Sequence, residues 1–271
     1  MNVSVRGAEL YYSMRGQGPA CLVLSTIGTK PYERMTPPPL TDRLRLVYVD
    51  LRGSGRSTGD AADLTFDLLA DDLEAVRADL DADRVAVLGH SINGVLAIEY
   101  GRRRPGSVSH VIAAGTPPFG DVSRVAVEAA AFFEEDASEE RKSLLRENLA
   151  ALPPGATAGE TMYAQSPTRF FDPRVDARPL FAEAESRPAL MTHVLGTMMP
   201  GWSVLGGEPG PPILLAHGRY DYTVPWVLWK GVVEKVPEAT LEVFERSGHQ
   251  PFFEEPERFT RAVAAWMSRA A

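Results

Sequence analysis

One serine in the sequence has the surroundings that nucleophilic catalysis requires. The stretch from Arg84 to Ala97 reads as an apolar strand that runs through Gly89-His90-Ser91 directly into an apolar helix. A serine on such a strand-to-helix turn is lifted above the edge of the sheet, and the free N–H groups of the helix point toward any oxyanion that forms beside it. The alternative is an ordinary turn in which Ser91 only caps the helix. The strand and the helix around it favour Ser91 as a nucleophile.

A serine hydroxyl is a weak nucleophile, so it needs a general base and an acid that orients the base. Asp221 follows the apolar segment Ile213 to Ala216, and His249 follows the apolar segment Leu241 to Phe244. Ligands and catalytic groups collect at the carboxyl edge of an open α/β sheet, where both loops would lie. Taken singly, Asp221 could cap a helix and His249 could be an exposed loop histidine. Together with Ser91 they predict a Ser-His-Asp triad.

The elements that must position these residues alternate between strand and helix patterns, which is typical of an α/β fold with parallel strands. Two short runs separated by Arg6-Gly7-Ala8 predict an opening hairpin. Continuous apolar runs further along predict strands covered on both faces. The predicted strands are Val3 to Val5, Leu10 to Met14, Ala20 to Leu24, Leu44 to Val49, Arg84 to Leu88, Val108 to Ala113, Ile213 to Ala216 and Leu241 to Phe244.

Strand patterning stops at about residue 118 and resumes after a segment rich in Gly and Pro, Gly206 to Pro212. Three segments between these points read as helices: Val122 to Glu135, Glu139 to Ala150 and Leu180 to Met199. Gly and Pro in succession neither extend a helix nor donate regularly to a sheet. We therefore expect a core of residues 1–118 and 208–271, interrupted by an inserted helical module of residues 119–207.

Composition excludes several classes of function. The 271 residues carry 28 basic and 36 acidic side chains, a net charge of −8. This charge disfavours nucleic acid and anionic membranes as partners, and a small-molecule substrate is expected. The single cysteine, Cys21, and five scattered histidines indicate no disulfide and no metal site, and no cofactor is predicted. The sequence shows neither a signal peptide nor an apolar run of membrane-spanning length, so a cytoplasmic location is expected. Oligomeric state is left open.

At this point the sequence resembles the α/β-hydrolase superfamily along nearly its whole length. The segment from Asp50 to Ser57 has the form D-x-R-G-x-G-x-S, and His217-Gly218-Arg219-Tyr220-Asp221 is similar to the proline iminopeptidase branch. The resemblance implies a mostly parallel eight-stranded sheet flanked by helices, with the inserted helices as a cap over the site. It also implies a serine hydrolase that forms an acyl-enzyme. Because Ser91 stands where relatives such as epoxide hydrolases use a carboxylate, the resemblance argues against those activities.

Two segments depart from the family pattern. The loop after the third strand usually reads His-Gly, and its backbone supplies half of the oxyanion hole; here the loop has Ser25 followed by Thr26 and Ile27. Since the donor is a backbone N–H, Thr26 or Ile27 is still expected to provide it together with Ile92. The second departure is Asn93, where the family usually has a glycine that lets the helix pack closely.

The substrate predicted from these observations is a small ester, lactone or amide. The same triad also serves C–C bond hydrolases, lyases and acyltransferases, and a non-catalytic binding relative is a further alternative. Aromatic residues and methionines of the insertion are expected to line an apolar pocket; the chosen candidates are Phe133, Phe171, Trp202 and Met198. The insertion also contains Phe132, Tyr163, Phe170, Phe181, Met191 and Met199, and its acidic residues Glu134, Glu135, Glu183 and Glu185 could bind a substrate amine.

Overall fold

The computed structural model describes residues 1–36, 38–185 and 187–269. Its centre is an eight-stranded sheet in the order β1-β2-β4-β3-β5-β6-β7-β8. The pairings β1 with β2 and β2 with β4 are antiparallel, and all the others are parallel. The predicted α/β fold with a mostly parallel sheet is confirmed. The strands are β1 (Asn2–Val5), β2 (Ala8–Arg15), β3 (Ala20–Ser25), β4 (Arg45–Asp50), β5 (Val85–His90), β6 (Val108–Ala114), β7 (Ile213–Gly218) and β8 (Ala239–Phe244).

The opening hairpin forms where the sequence predicts it. Arg6 and Gly7 connect β1 to β2 with φ angles of 43° and 75°. Two successive residues with positive φ are typical of the turn whose twist matches that of paired antiparallel strands. Glycine at the second position adopts this backbone without strain.

Central strands are buried on both faces, as their continuous apolar runs predict. Every residue of β3, β5 and β7 is buried. Because strand side chains alternate between faces, Leu22 and Leu24 of β3 belong to one core while Cys21 and Val23 belong to the other. These two apolar layers hold the carboxyl edge of the sheet in place.

Helices cover both faces of the sheet. Leu73 of α3 and Val95 of α4 pack in the first core, whereas Met35 of α1 and Phe259 of α12 pack in the second. None of the described helices is long and apolar enough to cross a membrane. The α-helices are α1 (Thr29–Met35), α2 (Pro38–Thr41), α3 (Phe66–Asp79), α4 (Ile92–Arg103), α5 (Val122–Asp136), α6 (Glu139–Ala150), α7 (Ala158–Ala164), α8 (Ser166–Arg169), α9 (Arg178–Phe181), α10 (Pro188–His193), α11 (Pro251–Glu254) and α12 (Pro256–Met267). Short 3₁₀ segments span Ala61–Asp63, Trp226–Trp229 and Val233–Lys235.

The segment between β6 and β7 contains helices α5 to α10, and in the described chain its β pairing is limited to one bridge from Phe119 to Ser203. The N-termini of α5, α6 and α7 are capped by the side chains of Asp121, Ser138 and Thr157. We call Val122 to Met198 the helical insertion; the domain boundaries at 118 and 207 stay a prediction.

One predicted helix of the insertion is wrong in extent. The sequence pattern favours a single helix from Leu180 to Met199, but α9 ends at Phe181 and α10 begins at Pro188, continuing as a π-helical turn over Val194–Met198. Proline fits the first turn of a helix and cannot donate inside one, so Pro188 starts a new helix instead of continuing an old one.

Candidate active site

Ser91 lies on the sharp turn between β5 and α4. Its backbone angles are φ 57° and ψ −126°, which non-glycine residues rarely adopt, and its N–H donates to the Ala114 carbonyl at 2.8 Å. Ser91 is partly exposed although β5 before it is fully buried. The twelve-residue helix that begins at Ile92 directs its positive end toward the same point. Strain of this kind is found at functional turns and here aims one hydroxyl away from the sheet.

Close packing behind this turn falls on Gly94, one residue beyond the position where the family usually has glycine. A Cβ on Gly94 would lie 1.8 Å from Thr116 Oγ1, so a larger residue would force α4 away from the loop after β6. Position 93 can therefore hold a side chain that makes other contacts. Its Nδ2 donates to the Tyr32 hydroxyl at 3.1 Å, and Asn93 lines the cavity beside Ser91.

Asp221 and His249 are in direct contact. The Nδ1 of His249 lies 2.7 Å from Asp221 Oδ2, and both side chains are completely buried. The other carboxylate oxygen accepts the backbone N–H groups of Thr223 and Val224 at 2.8 and 2.9 Å. Both carboxylate oxygens are thereby fixed, and they hold the imidazole in one orientation.

The protonation of this pair follows from its burial. Burial raises the pKa of Asp221 to about 6, which leaves it mainly ionised at neutral pH. Burial lowers the pKa of His249 well below its usual value, and the nearby Arg169 guanidinium lowers it further. At neutral pH the site therefore holds a neutral imidazole against a carboxylate, the state in which a histidine can accept a proton.

His249 is enclosed on several sides. Its backbone N–H donates to the Arg169 carbonyl at 2.6 Å, and the His90 ring lies 4.5 Å from its own. Gly115, with φ 55°, follows the residue that binds the Ser91 N–H, and a Cβ there would be 2.8 Å from His249 Nδ1. His249 Nε2 is buried and has no hydrogen-bond partner among the residues that the structure describes. This nitrogen is thus available to take a proton.

Backbone groups predicted for the oxyanion hole line the cavity at Ser91. Thr26 and Ile27 come from the loop after β3, and Ile92 begins α4. The Ile27 N–H already donates to Ser25 Oγ at 3.2 Å. Of the two loop candidates, Thr26 has the N–H that is less engaged by its own loop.

A cavity of about 440 Å³ opens beside Ser91, between the sheet edge and the helical insertion. Most of its wall is apolar. The sheet side contributes Thr26, Ile27, Tyr32, Met35, His90, Ser91, Ile92 and Asn93; the insertion side contributes Ala156, Ala158, Thr161, Met162, Arg169, Phe181, Ala184 and Met191. Its size suits a small-molecule ligand.

The four substrate-binding candidates chosen from the sequence lie outside the wall of this cavity, and their part in binding substrate stays a prediction. Phe133 and Phe171 pack edge-on against Tyr222 and Tyr220, each with ring centroids 5.1 Å apart. Trp202 donates its indole N–H to Glu99 at 2.9 Å, and Met198 packs with the first core. The contacts of Phe133, Phe171 and Met198 join the insertion to the core. Apolar character alone does not tell which face of a short helix looks toward the site.

Acidic residues are also absent from the described wall of the cavity. Glu183 forms an ion pair with Arg34, and Glu134 lies near Lys142 at 3.6 Å. In the described ranges, no three His, Cys, Asp or Glu side chains are grouped to hold a metal ion. The only fixed charge on the wall described here is that of Arg169. Sequence reasoning missed this residue and Gly115, because nothing in their neighbourhood along the chain connects them to Ser91.

The Asp50 to Ser57 motif stabilises the turn that follows β4. Asp50 Oδ2 accepts the Arg56 N–H at 2.9 Å, and Ser57 Oγ donates to the Asp50 carbonyl at 2.6 Å. Arg52 forms a buried ion pair with Asp72 of α3 at 2.6 Å. The polar groups of this Gly-rich turn are thus used to fold it onto the neighbouring strand and helix.

Comparison with known proteins gives concordant matches. A family model described as alpha/beta hydrolase fold matches residues 24–256. The chain is 30% identical over 282 residues to the AB hydrolase superfamily protein YclE of Bacillus subtilis, covering 97% of this chain and 96% of that protein. It is 30% identical over 240 residues to a pimeloyl-acyl-carrier-protein methyl ester esterase of Nitrosomonas europaea, covering 83% and 86% of the two chains. A proline iminopeptidase structure from Mycobacterium smegmatis superposes with a TM-score of 0.74 at 23% identity, covering 100% of this chain and 98% of that one.

Proposed function

Because this chain belongs to the α/β-hydrolase fold family, we propose that it is a serine hydrolase that forms an acyl-enzyme on Ser91. The family predicted from the sequence is thereby confirmed, and the triad is our proposal. One observation carries it: in the buried Asp221–His249 pair, 2.7 Å apart, the imidazole packs 4.5 Å from the ring of His90, which directly precedes a serine held at φ 57° on a strand-to-helix turn. A base oriented by an acid next to an exposed hydroxyl is the arrangement that activates serine.

The proposed reaction has two halves. Ser91 Oγ attacks the substrate carbonyl while His249 Nε2 takes the hydroxyl proton, and the resulting imidazolium is stabilised by Asp221. The N–H groups of Ile92 and of Thr26 or Ile27 stabilise the oxyanion. The alcohol leaves with the proton from His249. A water molecule, activated by the same imidazole, then releases the acid.

Small esters and lactones are the substrate class that the cavity supports best. Its volume of about 440 Å³ and its largely apolar wall suit a compact acyl or alkyl group. A free α-amine, as an iminopeptidase substrate carries, would lack a carboxylate partner on the described wall of the cavity. C–C bond cleavage, lyase chemistry and acyl transfer would use the same triad, and a purely binding relative would not need a buried Asp–His pair.

A fluorophosphonate probe tests the proposal directly. We expect the probe to label the wild type and the control variant Ser143→Ala. Ser143 is a suitable control because it lies on α6, where its hydroxyl donates to Glu147 of the same helix. We expect no labelling of Ser91→Ala and no hydrolysis of 4-nitrophenyl butyrate above background, with an unchanged circular dichroism spectrum. Full labelling of folded Ser91→Ala would refute the acyl-enzyme mechanism.

A further inference from the structure

Arg169 stands at the end of α8 with its side chain in the wall of the Ser91 cavity. Its Nε is buried and has no hydrogen-bond partner within the described part of the chain. Among the described residues, no carboxylate oxygen lies within 4.0 Å of the Arg169 guanidinium. The buried carboxylates Asp72 and Asp221 pair with Arg52 and His249, and Asp136 pairs with Arg219. A cation thus faces the reaction space without a carboxylate of the described chain in direct contact.

Two arginines with buried side chains, Arg52 and Arg141, are paired. Arg52 meets Asp72 in an ion pair of 2.6 Å. Arg141 donates to the backbone carbonyls of Pro167 and Phe170, both at 2.8 Å, and of Phe171 at 2.6 Å. Removing a charge from water without a partner is strongly unfavourable. The Nε atoms of Arg45 and Arg102 are also buried without a partner, but of these three arginines only Arg169 lies in the described wall of the Ser91 cavity, which indicates that its partner is a molecule that enters there.

A competing explanation is that Arg169 only balances the charge of Asp221. That carboxylate already accepts His249 Nδ1 and two backbone N–H groups, at 2.7 to 2.9 Å. The guanidinium lies more than 4.0 Å from that carboxylate, and its charge lowers the pKa of Asp221 but also those of His90 and His249. A cation that disfavours protonation of the base is poorly placed as a mere support of the triad.

We propose that Arg169 binds a carboxylate of the substrate, so that this enzyme acts on esters or lactones that carry a second, free carboxylate. The inference rests on the proposed serine hydrolase function and names its substrate class. A guanidinium presents a rigid fork of N–H donors that matches a carboxylate, and the pairing is strong where water is excluded. Apolar side chains on the insertion side, Met162, Phe181 and Met191, form the wall that a hydrocarbon part of the same substrate would contact.

Two pairs of esters, matched in size, test the inference. In the first, the carboxylate is on the acyl side: the 4-nitrophenyl monoester of adipic acid against 4-nitrophenyl hexanoate. In the second, it is on the alcohol side: 4-acetoxybenzoate against its methyl ester. The proteins are wild type, Arg169→Gln, Arg169→Lys and Arg174→Gln, where Arg174 is an exposed arginine of the insertion that pairs with Glu140.

We expect the wild type to prefer the anionic member of one pair. Arg169→Gln is expected to lower kcat/KM for that ester by about 100-fold, as loss of a charged hydrogen-bonded partner does, while the neutral ester changes by only a few-fold. Arg169→Lys is expected to be intermediate and Arg174→Gln to match wild type. Free adipate is expected to inhibit hydrolysis of the neutral ester competitively in wild type, and weakly in Arg169→Gln.

Equal losses on both members of each pair would overturn the inference, because Arg169 would then act through the triad. If Arg169→Gln does not fold, the anionic-to-neutral ratio of Arg169→Lys decides in the same way. If no ester is hydrolysed and the fluorophosphonate does not label Ser91, the proposed function fails on its own. Calorimetry then decides the carboxylate site: adipate binding that Arg169→Gln abolishes supports it, and no binding or unchanged binding overturns it.

Discussion

The sheet side and the insertion side of the candidate site, which we call its two walls, are built in different ways. On the sheet side, Asp221 and His249 are fully buried, and Ser91 is held by a strained turn between β5 and α4. On the insertion side, α6 buries a single residue, Arg141, and the cavity wall comes from short helices and their connections. From this difference we expect the sheet side to determine the chemistry through backbone geometry, and the insertion to determine selectivity through the few side chains that line the cavity.

The largest expected loss of activity comes from a substitution on the sheet side. We expect Asp221→Asn to lower kcat on the order of 10⁴-fold, because the amide cannot stabilise the His249 imidazolium or hold the productive tautomer. An amide oxygen can still accept the N–H groups of Thr223 and Val224, so the fold is expected to persist. Asp136→Asn is the matched control, since Asp136 pairs with Arg219 at 2.6 Å. Ester hydrolysis by both variants is the measurement, and a near-normal rate for Asp221→Asn would assign the orienting acid to another residue.

A backbone substitution on the same wall is expected to come next in size. Gly115→Ala places a Cβ 2.8 Å from His249 Nδ1 at φ 55°, so the imidazole must shift. A displacement of this order in a catalytic group lowers the rate by about 100-fold. Gly106→Ala is the control, because a Cβ at Gly106 would meet nothing within 4 Å. Equal kcat values for the two variants would show that the imidazole tolerates the displacement.

Substitutions on the insertion side are expected to change substrate selectivity. Phe181→Ala enlarges the cavity, and we expect it to change relative kcat/KM between acetyl and hexanoyl esters by about 10-fold. Phe133→Ala removes a buried ring that packs on Tyr222, so it is expected to lower the free energy of unfolding by about 3 kcal/mol without altering chain-length preference. If Phe133→Ala changed chain-length preference and Phe181→Ala did not, the assignment of the cavity wall would be reversed.

The sheet side was largely predictable from sequence. Strand runs such as Ala20 to Leu24 appear as apolar segments, and the turn at Ser91 follows from a strand that meets a helix at Gly-x-Ser. Asp221 and His249 follow strands of the same sheet, so topology brings them together. These features are local in the chain, and their three-dimensional consequence is fixed by sheet geometry.

The insertion side could not be predicted in the same way. Its aromatic residues are needed both for its own packing and for the cavity, and Phe133 and Phe181 are alike in the sequence. Arg169 and His249 are distant along the chain, and only the fold brings them together: the His249 N–H donates to the Arg169 carbonyl at 2.6 Å. A charge without a partner becomes visible only when every neighbour is placed.

Glu254 joins the two walls, and the last prediction concerns this contact. Its carboxyl group accepts the Phe171 N–H of the insertion side at 2.7 Å and the Gly248 N–H, next to His249, at 2.8 Å. Burial raises the pKa of Glu254 to about 8. The folded protein therefore keeps a proton that the unfolded chain releases near pH 4.5, and this contribution to stability is lost as pH rises through 8.

Between pH 6.5 and 8.0 we expect Glu254 to lower the free energy of unfolding of the wild type by about 1.6 kcal/mol. Asp221 and Asp50, whose pKa values are raised to about 6, change the free energy of unfolding mostly below pH 6.5. His90, His217 and His249, whose pKa values are lowered by burial, raise stability over the same window in all the variants. Glu254→Gln keeps the group neutral and is expected to remove the fall due to Glu254, whereas Glu257→Gln, at an exposed position of α12, is expected to keep it. Urea unfolding at the two pH values is the measurement. Parallel slopes in wild type and Glu254→Gln would show that the two walls are joined without a titrating group.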